Sequence, residues 1–252
     1  MTTAATLSAE TIQRYRTQGF VHIPNIITKD EAATFAAEAG ALPLTVPALS
    51  NGKVFTQLLN VWRVSEIMKR LTLHPNVGAV AEKLAGVPLR LWHDHILIKQ
   101  PHNEAPTEYH QDRPFWPFAT ARHTLSAWIA LVDVPVERGC MTFIPGSQKY
   151  DNLRAQDLTN AHDLQSLVPD LVWAERVTVP LRAGDCTFHS GYVAHMATPN
   201  FTDDPRIAHV VLFADAESTY NGTRHPVTDP LNLTVGQMLS GELFPRVGET
   251  AR

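Results

Sequence analysis

Leu89-Arg90-Leu91-Trp92-His93-Asp94-His95-Ile96-Leu97-Ile98 is where the pattern of the chain changes. It follows Gly86 and Pro88, which close a helical stretch, and its apolar and β-favouring residues predict a strand. Comparable short runs follow at 124–134, 140–144, 176–179, 185–189, 193–197 and 206–213. Turn chemistry separates them, as in Glu137-Arg138-Gly139, Pro145-Gly146-Ser147, Arg182-Ala183-Gly184-Asp185 and Asp203-Asp204-Pro205. Many short strands without alternating helices predict a sandwich or jelly roll, with the earlier helices packed on its outside.

Upstream the pattern is helical. Ser8 is placed to cap a helix running to about Gln18, and Gly19 stops it before the extended run Phe20-Val21-His22-Ile23-Pro24. Thr28 and Glu31 form a capping box for a second helix ending near Gly40. Two more helices are expected over 61–71 and 75–85. The chain then divides into a mainly helical part (1–87), a β core (88–215) and a C-terminal segment (216–252), whose residues 231–244 are expected to pack as a final helix or lid. A length of 252 residues fits a single domain with a large core.

Composition narrows the class of function. With 44% hydrophobic and 18% charged residues the chain is an ordinary globular protein. A formal charge of -4, a pI near 6.3 and no Lys/Arg run argue against nucleic acid as a partner. The N-terminus lacks the basic start and apolar core of a signal peptide, and no apolar stretch approaches the roughly 18 residues of a membrane span. A cytoplasmic location with no membrane partner is therefore expected, and the oligomeric state stays open. Cys140 and Cys186 read as reduced, buried thiols, so the sequons at Asn200, Asn221 and Asn232 carry no meaning in that compartment.

The 12 histidines matter only where a second ligand stands at a workable spacing. Two histidines and one carboxylate on one side of Fe(II) leave three positions for a bidentate co-substrate and O2. His110-Gln111-Asp112 is the only H-x-D in the chain, and residues two apart in an extended segment point the same way. His195, in a later expected strand, can close such a set from an opposite wall. Beyond it, Arg206 offers the fork-shaped guanidinium that the free end of a dicarboxylate requires. His189 competes with His195 as the distal ligand but lacks an arginine at the matching offset. His93-x-His95 resembles the start of a cupin metal motif, yet Lys99 and Gln100 stand where a glutamate should follow, so the pair reads as core or pocket wall. His102-Asn103-Glu104, between Pro101 and Pro106, reads as a solvated loop.

Together these residues resemble the phytanoyl-CoA dioxygenase family of Fe(II)/2-oxoglutarate oxygenases over most of the chain. The likeness is carried, in order, by the run from Gly19 to Pro24, Leu97-Ile98-Lys99-Gln100-Pro101, His110-Gln111-Asp112, Arg138-Gly139-Cys140, Ile144-Pro145-Gly146-Ser147-Gln148-Lys149, Gly184-Asp185, and His195-Met196-Ala197-Thr198-Pro199-Asn200 with Arg206. It implies a double-stranded β-helix of cupin-like, jelly-roll type, mainly β with flanking helices. It also implies Fe(II) at the catalytic residues His110, Asp112 and His195, 2-oxoglutarate anchored by Arg206 and bordered by Trp128, and O2 as the second co-substrate. Ala197 departs from the pattern, because relatives often carry a serine there that helps bind the co-substrate carboxylate.

The implied activity is oxidation of an unactivated C–H bond, by hydroxylation first, with ring closure, desaturation or epimerisation open to the same substrate radical. Tyr109, Phe115, Trp116 and Phe118, with Trp92, His93 and His95, suggest an aromatic wall for a small ring-bearing or apolar molecule. Among these, His93, His95 and Trp116 are the candidate substrate residues. No basic cluster suits a coenzyme A phosphate, so natural-product tailoring is the expected setting. Two other classes fit the residues: a non-oxidative cupin-like isomerase or hydrolase with Zn(II) or Mn(II), and a metal-free jelly-roll binding protein.

Overall fold

In a computed structural model that describes residues 2–42, 54–121 and 123–248, local caps set the helices. Ser8 Oγ accepts the Thr11 amide to open α1 (Ala9–Gln18), and Gly19 at φ 83° lets its own amide reach Tyr15 O. Thr28 and Glu31 exchange the two hydrogen bonds of a capping box at the start of α2 (Lys29–Ala41). The helix expected over 61–71 is broken. Val61–Arg63 makes one 3-10 turn, and α3 (Glu66–Thr72) starts after Ser65, whose hydroxyl accepts the Met68 amide. The cause is Asp94, whose side-chain carboxyl group accepts the Trp62 amide at 3.0 Å, together with Asn60 in the left-handed region. As expected, α4 (Pro75–Ala85) ends at Gly86, and a short α5 (Asp163–Leu167) follows far downstream.

The strands in chain order are β1 (Phe20–Ile23), β2 (Thr56–Leu59), β3 (Leu89–Lys99), β4 (Thr107–His110), β5 (Phe118–Thr120), β6 (Thr124–Ala130), β7 (Met141–Phe143), β8 (Val177–Val179), β9 (Cys186–Ser190), β10 (His195–Ala197), β11 (Arg206–Asp215) and β12 (Thr219–Tyr220). Every expected run contains a strand; β2, β4, β5 and β12, of two to four residues each, were not expected. A six-stranded sheet, ordered β1-β9-β6-β11-β3-β2, faces a four-stranded sheet, β4-β10-β7-β8, and β5 pairs with β12 apart from both. All pairings are antiparallel and few join neighbours in sequence, which is the wiring of a jelly roll.

Alternation along β11 divides the core. Ile207, Val211 and Phe213 join the apolar faces of the N-terminal helices, whereas Ala208, Val210 and Leu212 face the smaller sheet. On β3 the alternation slips once: Leu212 pairs with His93 but Phe213 pairs with Leu91, leaving Trp92 as a bulge. Leu91 stays on the helix side, while Trp92 and His93 both join the inner side.

Residues 231–244 do not form the expected helix. One 3-10 turn, Asp229–Leu231, is followed by Asn232, Gly236 and Gly241 at positive φ, which no helix tolerates in series. The segment still packs: Phe244 is buried and stacks on Trp92 at 5.7 Å between ring centroids. Residues 249–252 of the C-terminal segment lie outside the described residues. No helix among the described residues is long and apolar enough to cross a membrane, and Cys140 and Cys186 are free, buried thiols.

Candidate active site

The β4–β10 ladder sets His110 opposite His195. The extended H-x-D expected from the sequence holds only as far as His110, because Asp112 adopts helical φ and ψ (-71°, -43°) and opens a 3-10 turn, Arg113–Phe115. Gln111 between them points away and anchors the turn. Its amide donates to Gln156 Oε1 (2.8 Å), and its side chain donates to Tyr150 O (2.9 Å) and Tyr192 O (2.6 Å). Gly191 is needed on the facing loop, since any Cβ there would meet Thr124, Arg113 and Trp116.

As a result, one ligand atom from each of His110, Asp112 and His195 lies within 4.8 Å of the other two. Asp112 Oδ1 is 3.7 Å from both Nε2 atoms. His110 Nδ1 donates to Glu108 O (2.7 Å) and His195 Nδ1 to Val193 O (3.0 Å), so both Nε2 atoms present lone pairs. Asp112 Oδ2 accepts from Ser126 Oγ (2.8 Å) and His189 Nε2 (3.3 Å). Burial favours a neutral Asp112, but His195, His189 and His110 around it outweigh that and hold its carboxyl well below the usual range. Burial also pushes His195 down to about 3 and lowers His110. Three electron-pair donors thus converge with no proton to share, a donor set that suits a divalent transition metal.

A cavity of about 400 Å³ extends from this triad between the two sheets. Arg206 lines it from β11, is 1% exposed, and lies over the Trp128 ring at 5.3 Å. Its guanidinium donates once, to Leu97 O (3.1 Å); Nε has no partner, and no carboxylate pairs with it among the described residues. Burial pulls Arg206 down to about 9 and its ladder neighbour Lys99 down to about 7. Lys99 gives its ammonium to Ala105 O and does not line the cavity, so Arg206 alone, a buried cation with no counter-charge, forms a site for an anion.

Trp128, His93, His95 and Trp116 also line the cavity, as does Phe115. Three aromatics of the expected wall do not: Tyr109 alternates away from His110 and packs with Ile144 and Leu164, while Phe118 and Trp92 are buried against each other. His102 is exposed and pairs with Asp203, as a loop residue should. Several lining or supporting residues were not foreseen from the sequence, among them Ser126, Thr107, Gln57 and His225. Ser126 was detectable, two positions before Trp128 on one face of β6; Thr107, Gln57 and His225 carried no local signal.

Residues 15–208 match the sequence profile of the phytanoyl-CoA dioxygenase family. Phytanoyl-CoA dioxygenase domain-containing protein 1 of Mus musculus is 29% identical over 158 residues, 61% of this chain and 54% of that protein, so the chain aligns with about half the length of that curated relative. The solved structure of the non-haem α-ketoglutarate-dependent carbocyclase SnoK from nogalamycin biosynthesis is 38% identical, with a TM-score of 0.89 over 98% of both chains. The epimerase SnoN, solved with Fe3+, α-ketoglutarate and nogalamycin RO, is 39% identical, with a TM-score of 0.82 over 94% of this chain and 97% of that one.

Proposed function

The chain belongs to the phytanoyl-CoA dioxygenase family, and from that premise we propose that it is an iron(II)- and 2-oxoglutarate-dependent dioxygenase that oxidises a C–H bond of a small ring-bearing molecule in natural-product tailoring. The observation that carries the proposal is Arg206, a buried and unpaired guanidinium in the cavity that also holds the triad. A rigid buried cation is costly unless an anion completes it, and a dicarboxylate anchored at one end by iron does so at the other.

His110, Asp112 and His195 would hold the iron. Iron(II) with 2-oxoglutarate and O2 supplies the oxidising power for C–H cleavage and leaves succinate and CO2. The chain positions these groups. Glu108 O and Val193 O fix the ring tautomers of the two histidines, and Ser126 with His189 keeps Asp112 to one free oxygen. Arg206, whose guanidinium lies over Trp128, would hold the far carboxylate, while Phe115 and Trp116 give the substrate an apolar wall that excludes water. Hydroxylation is the simplest outcome, and similarity to a carbocyclase and an epimerase brings ring closure and stereochemical inversion into the same reading. The formal net charge of -4 and the lack of a basic run support action on a small molecule instead of nucleic acid.

Anaerobic addition of 2-oxoglutarate to the Fe(II)-loaded protein tests the reading: a weak visible charge-transfer band is expected, and its absence sinks the proposal. Asp112→Ala should abolish substrate-stimulated succinate release; release at the parental rate would show that the ligand assignment is wrong.

A further inference from the structure

A second group of imidazoles, which the metal site does not use, lines the same cavity. His93 and His95 come from β3 and His225 from the loop 224–226. The His93 ring is central, with centroids 5.4 Å from His95 and 5.7 Å from His225. His93 shares a ladder row with Leu212, Ser126 and His189, so one apolar residue separates it from the residues that hold Asp112. Two strand spacings put His93 about 10 Å from Ser126 along the sheet. Among the described residues only His110, Asp112 and His195 bring three ligand atoms within 4.8 Å, so this group is not a second metal site.

Its hydrogen-bonding character follows from the Nδ1 atoms. His93 Nδ1 donates to Asp94 O (3.2 Å), which leaves Nε2 as an acceptor. His95 Nδ1 accepts from Gln57 Nε2 (3.1 Å) and His225 Nδ1 from the Val227 amide (3.2 Å), which leaves a proton on each of their Nε2 atoms. None of the three Nε2 atoms has a partner among the described residues, and none is sealed away from the cavity. Burial keeps the rings neutral, with His93 far below its ordinary value and His95 and His225 at about 4. Arg224, at the rim, is 91% exposed and turned to Asp229, so it adds no buried charge.

We propose that His93, His95 and His225 form a subsite for a hydroxyl group of the primary substrate, an alcohol or phenol that donates to His93 Nε2 and accepts from the flanking N–H groups. A hydroxyl is the neutral oxygen group that does both; a ketone, ether or carboxylate leaves His93 unpaired, and an ammonium cannot accept. The hydroxyl holds the substrate with its ring over Leu212, on the path to the triad. This rests on the oxygenase reading of the cavity and names its substrate class.

The test uses the anaerobic Fe(II)/2-oxoglutarate protein and two probes, 1-naphthol and 1-methoxynaphthalene, which differ in the donor. Calorimetry should give the parent a preference of about tenfold for the naphthol. In His93→Phe, which keeps an aromatic ring beside Trp92, the preference should fall to within about twofold. In His225→Phe, on an accessible loop, naphthol affinity should drop about fivefold while 2-oxoglutarate affinity is unchanged. If His93→Phe does not fold, the His225→Phe result decides. Equal affinities in the parent, failure of both probes to bind, or a preference surviving in the folded His93 variant overturns the subsite. A parent that binds neither iron nor 2-oxoglutarate sinks the oxygenase reading, whereas one that binds both without preferring the hydroxyl sinks the subsite alone.

Discussion

Thr107 stands directly across the β4–β10 ladder from Ala197, and both line the cavity with Arg206. The Thr107 hydroxyl has no hydrogen-bond partner among the described residues, so a donor is present one strand away from where Ala197 lacks one. Thr107→Val should therefore raise the 2-oxoglutarate dissociation constant about five- to tenfold in an anaerobic titration. Adding Ala197→Ser to that variant should recover most of the loss; a Thr107→Val protein with parental affinity rules the hydroxyl out.

Arg206 offers a separate prediction because it is buried without a counter-ion. Replacing such a cation with an apolar chain of similar length is neutral or stabilising to the empty protein. Arg206→Met should melt no lower than the parent without co-substrate, yet lose the thermal shift that saturating 2-oxoglutarate gives the parent. A large drop in melting temperature without co-substrate would mean that the guanidinium serves the fold instead.

His189 sits 3.3 Å from Asp112 Oδ2, with its ring 4.6 Å from that of His195. It orients the carboxylate beside Ser126 and does not replace His195. His189→Ala should weaken Fe(II) affinity about 10- to 100-fold, the usual effect of losing such a partner, while one iron still binds per chain. Unchanged iron affinity would leave His189 with a packing role only.

Asp94 gives a prediction on pH. It is fully buried on the helix side of β3, and burial raises its carboxyl to about 7 despite hydrogen bonds from Thr72 and the Trp62 amide. The folded protein then keeps a proton that the unfolded chain releases near its ordinary value of about 4. The stability this contributes is complete below that value and is lost as pH rises through about 7. Asp94→Asn should gain on the parent by several degrees in melting temperature between pH 5 and pH 8, and gain nothing further above that range. A gap independent of pH contradicts an Asp94 that is protonated in the folded state.

What the sequence determined by itself was local. The caps at Ser8 and Thr28, the turn between Gly86 and Leu89, the apolar runs of the long strands and the spacing of His110 and Asp112 are each written within a few residues, because capping and side-chain periodicity act over one or two turns. The ordered boxes also named His195 and Arg206. Only the tertiary structure decided what depends on pairings between distant strands. The Trp92 bulge brings Trp92 and His93 to one side, the ladder sets Thr107 against Ala197, and the row from His93 to His189 spans four strands. Backbone carbonyls and amides brought in by the fold choose the ring tautomers, and the broken helix at 61–71 follows from Asp94, a partner over 30 positions away at Trp62. Long-range register is set by the balance of burial across whole sheets, and no window of sequence contains both sides of that balance.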